Sequence, residues 1–200
     1  DTKMPHRLSD FKTALAFGGA RPNLFEVQIS AGNLPDGVTP FNERKFTMLC
    51  KAAQLPASNV ASIDVPFRGR TFKVAGDRTF DTWTITIIND NDFDIRKSME
   101  EWMQFVAQYE DGSGATTPQT YMRDAIVSQL GRKKSKIGSG TDNAHGEGLE
   151  KVKTYVFKDI FPTNVSAIDL SFDSSDTIEE FTVEFQVQYW YPAPENAPAG

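Results

Sequence analysis

The sequence predicts a mainly β protein: an antiparallel β-barrel or sandwich with one flanking α-helix and a long insertion loop. Three observations predict it. Apolar and polar residues alternate at both ends of the chain, the period-2 pattern of half-buried strands. One run at helical spacing interrupts that pattern, and a long polar, glycine-rich segment follows the run. A chain of 200 residues can bury about 70% of the surface it exposes when unfolded, so we expect a single domain over residues 1–200.

The last strand has the clearest alternation. In "EFTVEFQVQYW" an apolar or aromatic side chain stands at every second position. Because successive side chains of a strand point to opposite faces, the segment from Glu179 to Trp190 is predicted to be a strand. Its inward face would hold Phe181, Val183, Phe185, Val187 and Tyr189, and its outward face Thr182, Glu184, Gln186 and Gln188.

Seven further segments have the same pattern, which predicts eight strands. The turn-forming segments "GNLPDG", "RGR", "AGD" and "FPTN" lie between or within them. In chain order the predicted strands are "LFEVQIS" (24–30), "RKFTMLCKAAQ" (44–54), "VASIDVPFR" (60–68), "RTFKVAG" (70–76), "FDTWTITII" (80–88), "EKVKTYVFKDIFP" (150–162) and "SAIDLSFD" (166–173).

The predicted helix lies in "FDIRKSMEEWMQFVAQYE", where apolar residues recur three or four positions apart. Asp94 or Ser98 can serve as its N-cap, and Ser98 with Glu101 matches a capping box. Residues 111–151 are polar and glycine-rich, so we expect an exposed insertion there, with a short helix from Tyr121 to Leu130. The proline-rich residues 191–200 predict a flexible tail.

The charge balance argues against binding of nucleic acid through its phosphates. The chain has 21 basic and 27 acidic side chains, a formal charge of −6, whereas such binding needs an excess of basic groups. A single cysteine, Cys50, excludes an intramolecular disulfide and multi-cysteine metal sites. No apolar run approaches the roughly 18 residues of a membrane span. We expect a soluble, unexported chain without its initiator methionine and without membrane association.

Part of the sequence is similar to a calcium-binding loop. In "DNDFDIRKSMEE" the residues Asp90, Asp92, Asp94 and Glu101 stand at positions 1, 3, 5 and 12 of such a loop. Position 6 requires glycine for a sharp turn, and Ile95 stands there. A polar turn before a helix is therefore the favoured interpretation, and no metal or other cofactor is predicted.

Catalytic groups are sparse. His6 lies near the terminus and His145 in the glycine-rich segment, so neither is on an element that could hold a general base in place. Glu180 and Glu184 would share a strand face, as a glycosidase pair must, but acids on a sheet surface are commoner. The basic run "RKKSK" (132–136) has no aromatic residue among its bases. We predict no enzymatic activity, with a carbohydrate-active or metal-dependent enzyme and a DNA-binding module as weaker alternatives.

Two segments carry a resemblance to a known family: "VPFRGRTFKVAGDRTFDTWTITIINDNDFDIRKSMEEW" and "FKDIFPTNVSAIDLSFDSSDTIEEFTVEFQVQYW". Together they resemble the tail tube proteins of contractile-tailed bacteriophages. The resemblance runs from Leu24 to Trp190 apart from residues 111–151. It implies hexameric rings that stack into a tube in the virion, assembled in the host cytoplasm, with DNA passing through the lumen.

The resemblance also implies partners: the tail sheath protein, a baseplate tube initiator and the tape-measure protein. It implies kinship with the ring proteins of type VI secretion systems, so a secretion tube ring that carries effectors is the alternative function. The residues do not separate these two readings.

Two sets of residues are candidates for roles in such a tube. The polar positions of alternating strands are candidates for the lumen lining: Glu26, Gln28, Thr84, Glu184 and Gln186. Charged residues between 64 and 102 are candidates for contacts between subunits or rings, with the bases of one subunit meeting the acids of its neighbour: Arg68, Arg70, Lys73, Arg78, Asp90, Asp92, Glu100 and Glu101.

Overall fold

The computed structural model describes residues 8, 20–30, 32, 34–110, 113–134, 149–171 and 176–193. The chain divides into two compact units, one of residues 1–26 and 128–153 and one of residues 27–127 and 154–200. The prediction of a single domain stays a prediction. The described elements are β1 (Phe25–Ile29), α1 (Glu43–Leu49), β2 (Cys50–Ala53), β3 (Ser58–Phe67), β4 (Arg70–Phe80), β5 (Trp83–Ile88), α2 (Asp94–Val106), α3 (Pro118–Tyr121), β6 (Arg123–Lys134), β7 (Leu149–Val165), β8 (Glu180–Gln186) and β9 (Tyr189–Pro192).

The strands form a seven-stranded sheet and a separate two-stranded sheet. The large sheet has the order β1-β6-β7-β8-β5-β2, with β9 also paired to β7, and the small sheet is β3 with β4. The pairings of β2 with β5, β5 with β8, β7 with β8 and β9, and β3 with β4 are antiparallel. The predicted mainly β, antiparallel class is confirmed. The one flanking helix that was predicted is α2, and the structure also describes the short helices α1 and α3. Among the described strands the large sheet is open rather than closed into a barrel.

Aromatic side chains from β5, β7, β8 and α2 form the centre of the second unit. Trp83 stacks on Phe157 with the ring centroids 4.7 Å apart and lies 5.3 Å from the Phe185 ring. The Trp102 ring is 6.0 Å from Phe185, which brings the buried side of α2 against β8. Trp102 also donates a hydrogen bond from its indole nitrogen to the carbonyl oxygen of Tyr121 at 2.8 Å. The predicted helix is thus confirmed as an element that covers the sheet.

In the first unit, residues at the start of the described chain bond to β6 and β7. Gln129 donates from its side-chain amide to the carbonyl oxygens of Arg21 and Leu24, at 2.7 and 2.6 Å. The backbone N–H of Leu130 also donates to the carbonyl of Leu24. Lys151 forms an ion pair with Glu26 at 3.2 Å.

The predicted last strand is confirmed from Glu180 to Gln186 and is interrupted after that. Register pairs Gln186 with Phe161 and Tyr189 with Lys158, so β8 and β9 follow one line along β7 with a break at residues 187–188. Opposite the break, Asp159 has a φ of 55°. The burial pattern of β7 shifts at this left-handed residue, and on the paired strand Tyr189, predicted to point inward, is exposed.

Residues 44–49 were predicted as strand and are instead the helix α1. Asn42 accepts a hydrogen bond from the backbone N–H of Lys45 at 3.1 Å, which is the N-cap contact that starts a helix. One side of α1 carries Phe46, which is fully buried and lies 5.1 Å from the Phe41 ring. The second predicted strand therefore begins only at Cys50.

Three other predictions, all in connections or at the end of the chain, differ from the structure. Residues 166–171 of the predicted strand 166–173 are not strand, and residues 172–173 lie outside the described residues. The segment 111–151, predicted as an exposed insertion with a helix from Tyr121 to Leu130, contains α3, β6 and the start of β7. In β6, Ala125, Val127 and Ser128 are buried because the strand lies between β1 and β7. Of the predicted tail, residues 191–200, Tyr191 and Pro192 belong to β9, and residues 194–200 lie outside the described residues.

The start of α2 differs from the predicted capping box. Phe93 is the N-cap residue, in the left-handed region with φ 55°, and it makes no side-chain cap bond. Ser98 is buried and donates to the carbonyl of Thr39 at 2.6 Å, while the backbone N–H of Thr39 donates to the Glu101 carboxylate at 2.6 Å. Ser98 and Glu101 thus bind Thr39, in the loop before α1, instead of capping α2. Among the described helices, none has the length and apolar character of a membrane span.

Candidate functional site: a polar sheet face and an exposed hairpin

The central strands β5 and β8 have one apolar and one polar face. Thr84 is directly opposite Glu184, and Thr86 is opposite Thr182. These side chains and that of Gln186 are half-buried, whereas their neighbours along each strand are fully buried. We name Thr84, Thr86, Thr182, Glu184 and Gln186 the polar sheet face. Such a surface presents hydroxyl, amide and carboxylate groups and no basic group.

Three of the five candidate lumen residues, Thr84, Glu184 and Gln186, lie together on the polar sheet face. Gln28 is exposed on β1, which β6 and β7 separate from β8 in the strand order. Glu26 is half-buried and pairs with Lys151 in the first unit. That any of them lines a lumen stays a prediction.

The two-stranded sheet is a long hairpin whose side chains are almost all exposed on both faces. Its register places Ile63 opposite Val74 and Val65 opposite Phe72, with Phe67 next on the same face. We name Ile63, Val65, Phe67, Phe72 and Val74 the apolar hairpin face. The opposite side, the polar hairpin face, consists of Ser62, Asp64, Pro66, Thr71, Lys73 and Ala75.

The tip of the hairpin is a two-residue turn. Arg68 and Gly69 have φ values of 46° and 81°, the positive pair that a type I′ turn requires. Glycine adopts this conformation without strain, and the arginine guanidinium lies over the Phe67 ring, 5.6 Å from its centroid. The segment "RGR", predicted as a turn, is therefore the connection between β3 and β4.

The candidate residues for contacts between subunits or rings lie in separate parts of the structure. Arg68, Arg70, Lys73 and Arg78 all lie on the hairpin, and Lys73 pairs across the strands with Asp64 at 3.2 Å. The acids have partners elsewhere in the chain: Glu100 binds Arg96 at 2.8 Å, and Glu101 binds Lys97 at 3.7 Å. Within the described chain the hairpin bases do not meet these acids, so their contact with a neighbouring subunit stays a prediction.

Lys45 of α1 is the common partner of three carboxylates. Its ammonium group forms ion pairs with Asp90, with Asp92 at 3.4 Å and with Asp94 at 3.3 Å. The hydrogen bond to Asp90 raises the pKa of Lys45 and lowers the pKa of Asp90, to which the backbone N–H of Asn91 also donates. These are three of the residues with calcium-loop spacing, and in the structure they surround a lysine.

Other titratable groups have structural causes for their shifts. The backbone N–H of Thr39 lowers the pKa of Glu101, and burial raises the pKa of Cys50 to about 12. A thiol with so high a pKa is a poor nucleophile at neutral pH. Across the described residues, no group of three or more His, Cys, Asp or Glu is arranged to hold a metal ion.

Sequence reasoning missed the apolar hairpin face as a separate surface. It predicted both strands from their alternation, the pattern of half-buried strands, and gave them no separate sheet. The signal that could have separated them is the basic tip: arginines on both sides of Gly69 keep the end of a hairpin in water.

A mainly β chain with a polar sheet face and an uncovered apolar hairpin face has the features of a structural subunit, whose surfaces are covered by other subunits. The comparisons with known proteins agree. The family model "Phage tail tube protein" matches residues 20–193, and the chain belongs to that family.

The curated relatives are tail tube proteins of phages. The chain is 35% identical to tail tube protein gp19 of Enterobacteria phage T4 over 171 residues, which cover 86% of this chain and 90% of that protein. It is 34% identical to gp19 of Enterobacteria phage T6 with the same coverage. It is 25% identical to the tail tube protein of Serratia phage KSP90 over 181 residues, 90% of this chain and 93% of that protein. The predicted family resemblance is confirmed, and the chain is a structural component of a contractile phage tail and so of the virion.

Solved structures share the fold. A chain of the PVC extracellular contractile injection system sheath–tube complex in the extended state superposes with a TM-score of 0.54 at 12% identity, covering 90% of this chain and 96% of that chain. A chain of the anti-feeding prophage baseplate superposes with a TM-score of 0.56 at 11% identity, covering 90% and 98%. At these identities the likeness concerns the fold.

Proposed function

We propose that this chain is the repeating subunit of hexameric rings that stack into the tail tube, and that the lumen of the tube conducts DNA during ejection. The polar sheet face carries the proposal. It lies on the central strands β5 and β8, and its threonine, glutamine and glutamate side chains are half-exposed. A channel for DNA needs a wetted surface without free cations that would hold the phosphates. The five residues of this face include no cation, and Lys51, which reaches Glu180 on the same side of β8, is paired there with that carboxylate.

The charge of the whole chain supports the same function. A six-fold ring would carry six times the formal charge of −6. A lumen that shares this sign would repel the phosphate backbone, so DNA would slide past the wall without pausing at any ring. Glu184 is the acid of the polar sheet face and would repeat around and along the channel.

The proposed tube has further partners. The tail sheath protein would surround it, a baseplate initiator would start it, and the tape-measure protein would occupy the lumen before DNA. Fold likeness to a chain of a sheath–tube complex and to a chain of an injection-system baseplate is consistent with these partners. Assembly would take place in the host cytoplasm before the tail joins the virion.

Electron microscopy of the purified protein tests the proposal. The protein is imaged in dilute buffer, after concentration, and after addition of baseplates as seeds. We expect six-fold rings or tubes in the concentrated or seeded samples. Particles that stay monomeric in all three conditions, or rings of another symmetry, would contradict the hexameric tube.

A further inference from the structure

The loop before α1 is fastened to α2 through the backbone of Thr39. We name residues 34–42 the strap; they belong to none of the described strands. The N–H of Thr39 donates to the Glu101 carboxylate, and its carbonyl accepts from the Ser98 hydroxyl, each at 2.6 Å. Two side chains of α2 therefore satisfy the backbone groups that a neighbouring strand would otherwise pair. We name this pair of hydrogen bonds the clasp.

Each side chain of the clasp has a second partner on α2 itself. The Ser98 hydroxyl has one proton and two acceptors within reach, the carbonyl of Thr39 at 2.6 Å and that of Asp94 at 2.9 Å. Glu101 is 3.7 Å from the ammonium group of Lys97, one turn earlier on the helix. Both side chains thus keep a partner when the clasp breaks. This lowers the cost of breaking it, because the expensive outcome is a polar group left without any partner.

The strap has a turn near its start and a separate attachment beyond its end. The N–H of Val38 donates to the carbonyl of Pro35 at 3.1 Å, and Gly37 between them has a φ of 92°, the positive value that a type II turn needs at this position. After the strap, Lys45 of α1 pairs with Asp90, which joins α1 to the loop before α2 independently of the clasp. Movement of the strap can therefore stop at the start of α1.

The closed strap covers apolar side chains on both sides of Thr39. Val38 and Phe41 are 8% and 4% exposed, and the Phe41 ring lies 5.1 Å from the Phe46 ring of α1. Burial of these side chains favours the closed strap, whereas the lost freedom of the ordered backbone opposes it. The clasp adds two hydrogen bonds to the closed side of this balance, so its strength decides how often the strap opens.

We propose that the strap opens and closes on α2 as one unit, with Ser98 and Glu101 exchanging Thr39 for their second partners on the helix. Opening exposes Val38 and Phe41 while α2 and the large sheet stay folded. The subunit thus has two surfaces at this place, one with covered and one with exposed apolar side chains. The inference concerns the single chain, so its outcome is separate from that of the proposed tube.

Thiol labelling of the single chain measures the opening. Val38→Cys places a small buried thiol in the strap, and the native Cys50, buried at the start of β2, reports opening of the sheet in the same molecule. Maleimide labelling of both thiols is compared for Val38→Cys alone, with Glu101→Gln and with Glu100→Gln. Glu100 is the matched control, because it is next to Glu101 on α2 and pairs with Arg96.

Glu101→Gln should speed labelling of the strap thiol by about fivefold to tenfold. A neutral amide accepts a weaker hydrogen bond from Thr39 than a carboxylate does, and the difference is about 1 kcal/mol or more. Labelling of Cys50 should not change, and Glu100→Gln should alter labelling of the strap thiol by less than about twofold. A strap thiol that Glu101→Gln does not accelerate would overturn the inference. Equal acceleration of Cys50 would overturn it too, because the opening would then be global.

Proteolysis tests the same opening with the native strap sequence. Chymotrypsin cleaves after aromatic residues in segments that have left the fold, so cleavage after Phe41 requires an open strap, whereas Phe72 in the exposed hairpin serves as the internal reference. Glu101→Gln and Ser98→Ala should each raise the rate of cleavage after Phe41, relative to Phe72, by about threefold or more. Glu100→Gln should leave this ratio within about twofold of the parent. An unchanged ratio in both clasp variants would overturn the inference.

Discussion

Lys45 and Asp90 form an ion pair that joins α1 to the loop before α2. The lysine also reaches Asp92 and Asp94, so a single ammonium group offsets the mutual repulsion of three neighbouring carboxylates. The side chains at this junction are partly exposed, and salt will weaken their attraction.

The first prediction concerns acid stability. Because Lys45 lowers the pKa of Asp90, the pair stabilises the fold above the ordinary carboxyl pKa of 3.8 and loses that effect as the pH falls through the folded pKa. The raised pKa of Lys45 keeps the lysine charged throughout this range, so its own contribution is lost only in strong alkali. Denaturant unfolding at pH 7 and pH 3 should show a smaller acid loss for Asp90→Asn than for the parent. Asp77→Asn on the hairpin is the control, and an unchanged acid loss for Asp90→Asn would contradict the prediction.

The second prediction is that calcium has no effect. Ile95 stands where a calcium loop needs glycine, and three of the carboxylates bind Lys45. Calorimetric titration of the parent should detect no micromolar binding. Micromolar calcium binding that disappears in Asp92→Ala would contradict this prediction and show that calcium displaces Lys45 from these carboxylates.

The third prediction tests the register of β8. Phe185 is fully buried between Trp83 and Trp102, so Phe185→Ala should lower the free energy of unfolding by about 3 to 5 kcal/mol. Gln186→Ala, on the polar sheet face, should change it by less than about 0.5 kcal/mol. Urea denaturation measures both, and similar losses from the two variants would refute the assignment of faces.

The fourth prediction concerns the left-handed residue of β7. Asp159 has a φ of 55°, its backbone N–H donates to Asp124, and the neighbouring Lys158 pairs with the same carboxylate. Asp159→Gly should be nearly neutral, because glycine adopts positive φ freely. Asp159→Val should lower the free energy of unfolding by roughly 1 to 3 kcal/mol, because β-branched residues avoid this conformation. Thermal unfolding of the two variants, measured side by side, tests this. An Asp159→Val variant as stable as the parent would mean that the backbone at this position can leave the positive-φ conformation without loss of stability.

The fifth prediction tests the lumen. Thr84→Lys with Gln186→Lys adds two cations per subunit to the polar sheet face, where they would attract phosphates in every stacked ring. Tubes should still assemble, and DNA retention should rise at low salt and return towards the parent value at high salt. Ser62→Lys with Thr71→Lys adds the same charge to the polar hairpin face and is the control. Normal DNA ejection by the first variant, or equal DNA retention by both variants, would show that Thr84 and Gln186 do not line the channel.

Local pattern predicted most strands and the helix that covers the sheet. It succeeded where alternation coincides with pairing, as in β5 and β8, and where apolar spacing is helical, as in α2. It failed at residues 44–49, where the capping contact of Asn42 outweighs a weak alternation around one buried residue, Phe46. It failed again at β6, whose glycine-rich surroundings resemble a loop although the strand lies inside the sheet.

The candidate site was predictable in part. Thr84, Glu184 and Gln186 were predicted correctly to share a polar face, because the two-residue period of a strand is enough to place them there. The partners of the charged residues were not predictable, since Lys45 is 45 residues from Asp90 along the chain and meets it only through the packing of α1. The outward orientation of the Tyr189 side chain was also not predictable from its own segment, because the burial pattern changes at Asp159 on another strand.

The sequence by itself determined the mainly β class, the strand period, the turn at Gly69 and, through two specific segments, the family. The tertiary structure decided which apolar faces are covered. Phe181, Val183 and Phe185 alternate with polar residues just as Ile63, Val65 and Phe67 do, yet the first three are buried and the second three are exposed. The physical reason is that alternation depends only on neighbouring residues, whereas burial depends on β5, β7 and α2, which are remote in sequence and pack on β8 but leave the hairpin face open.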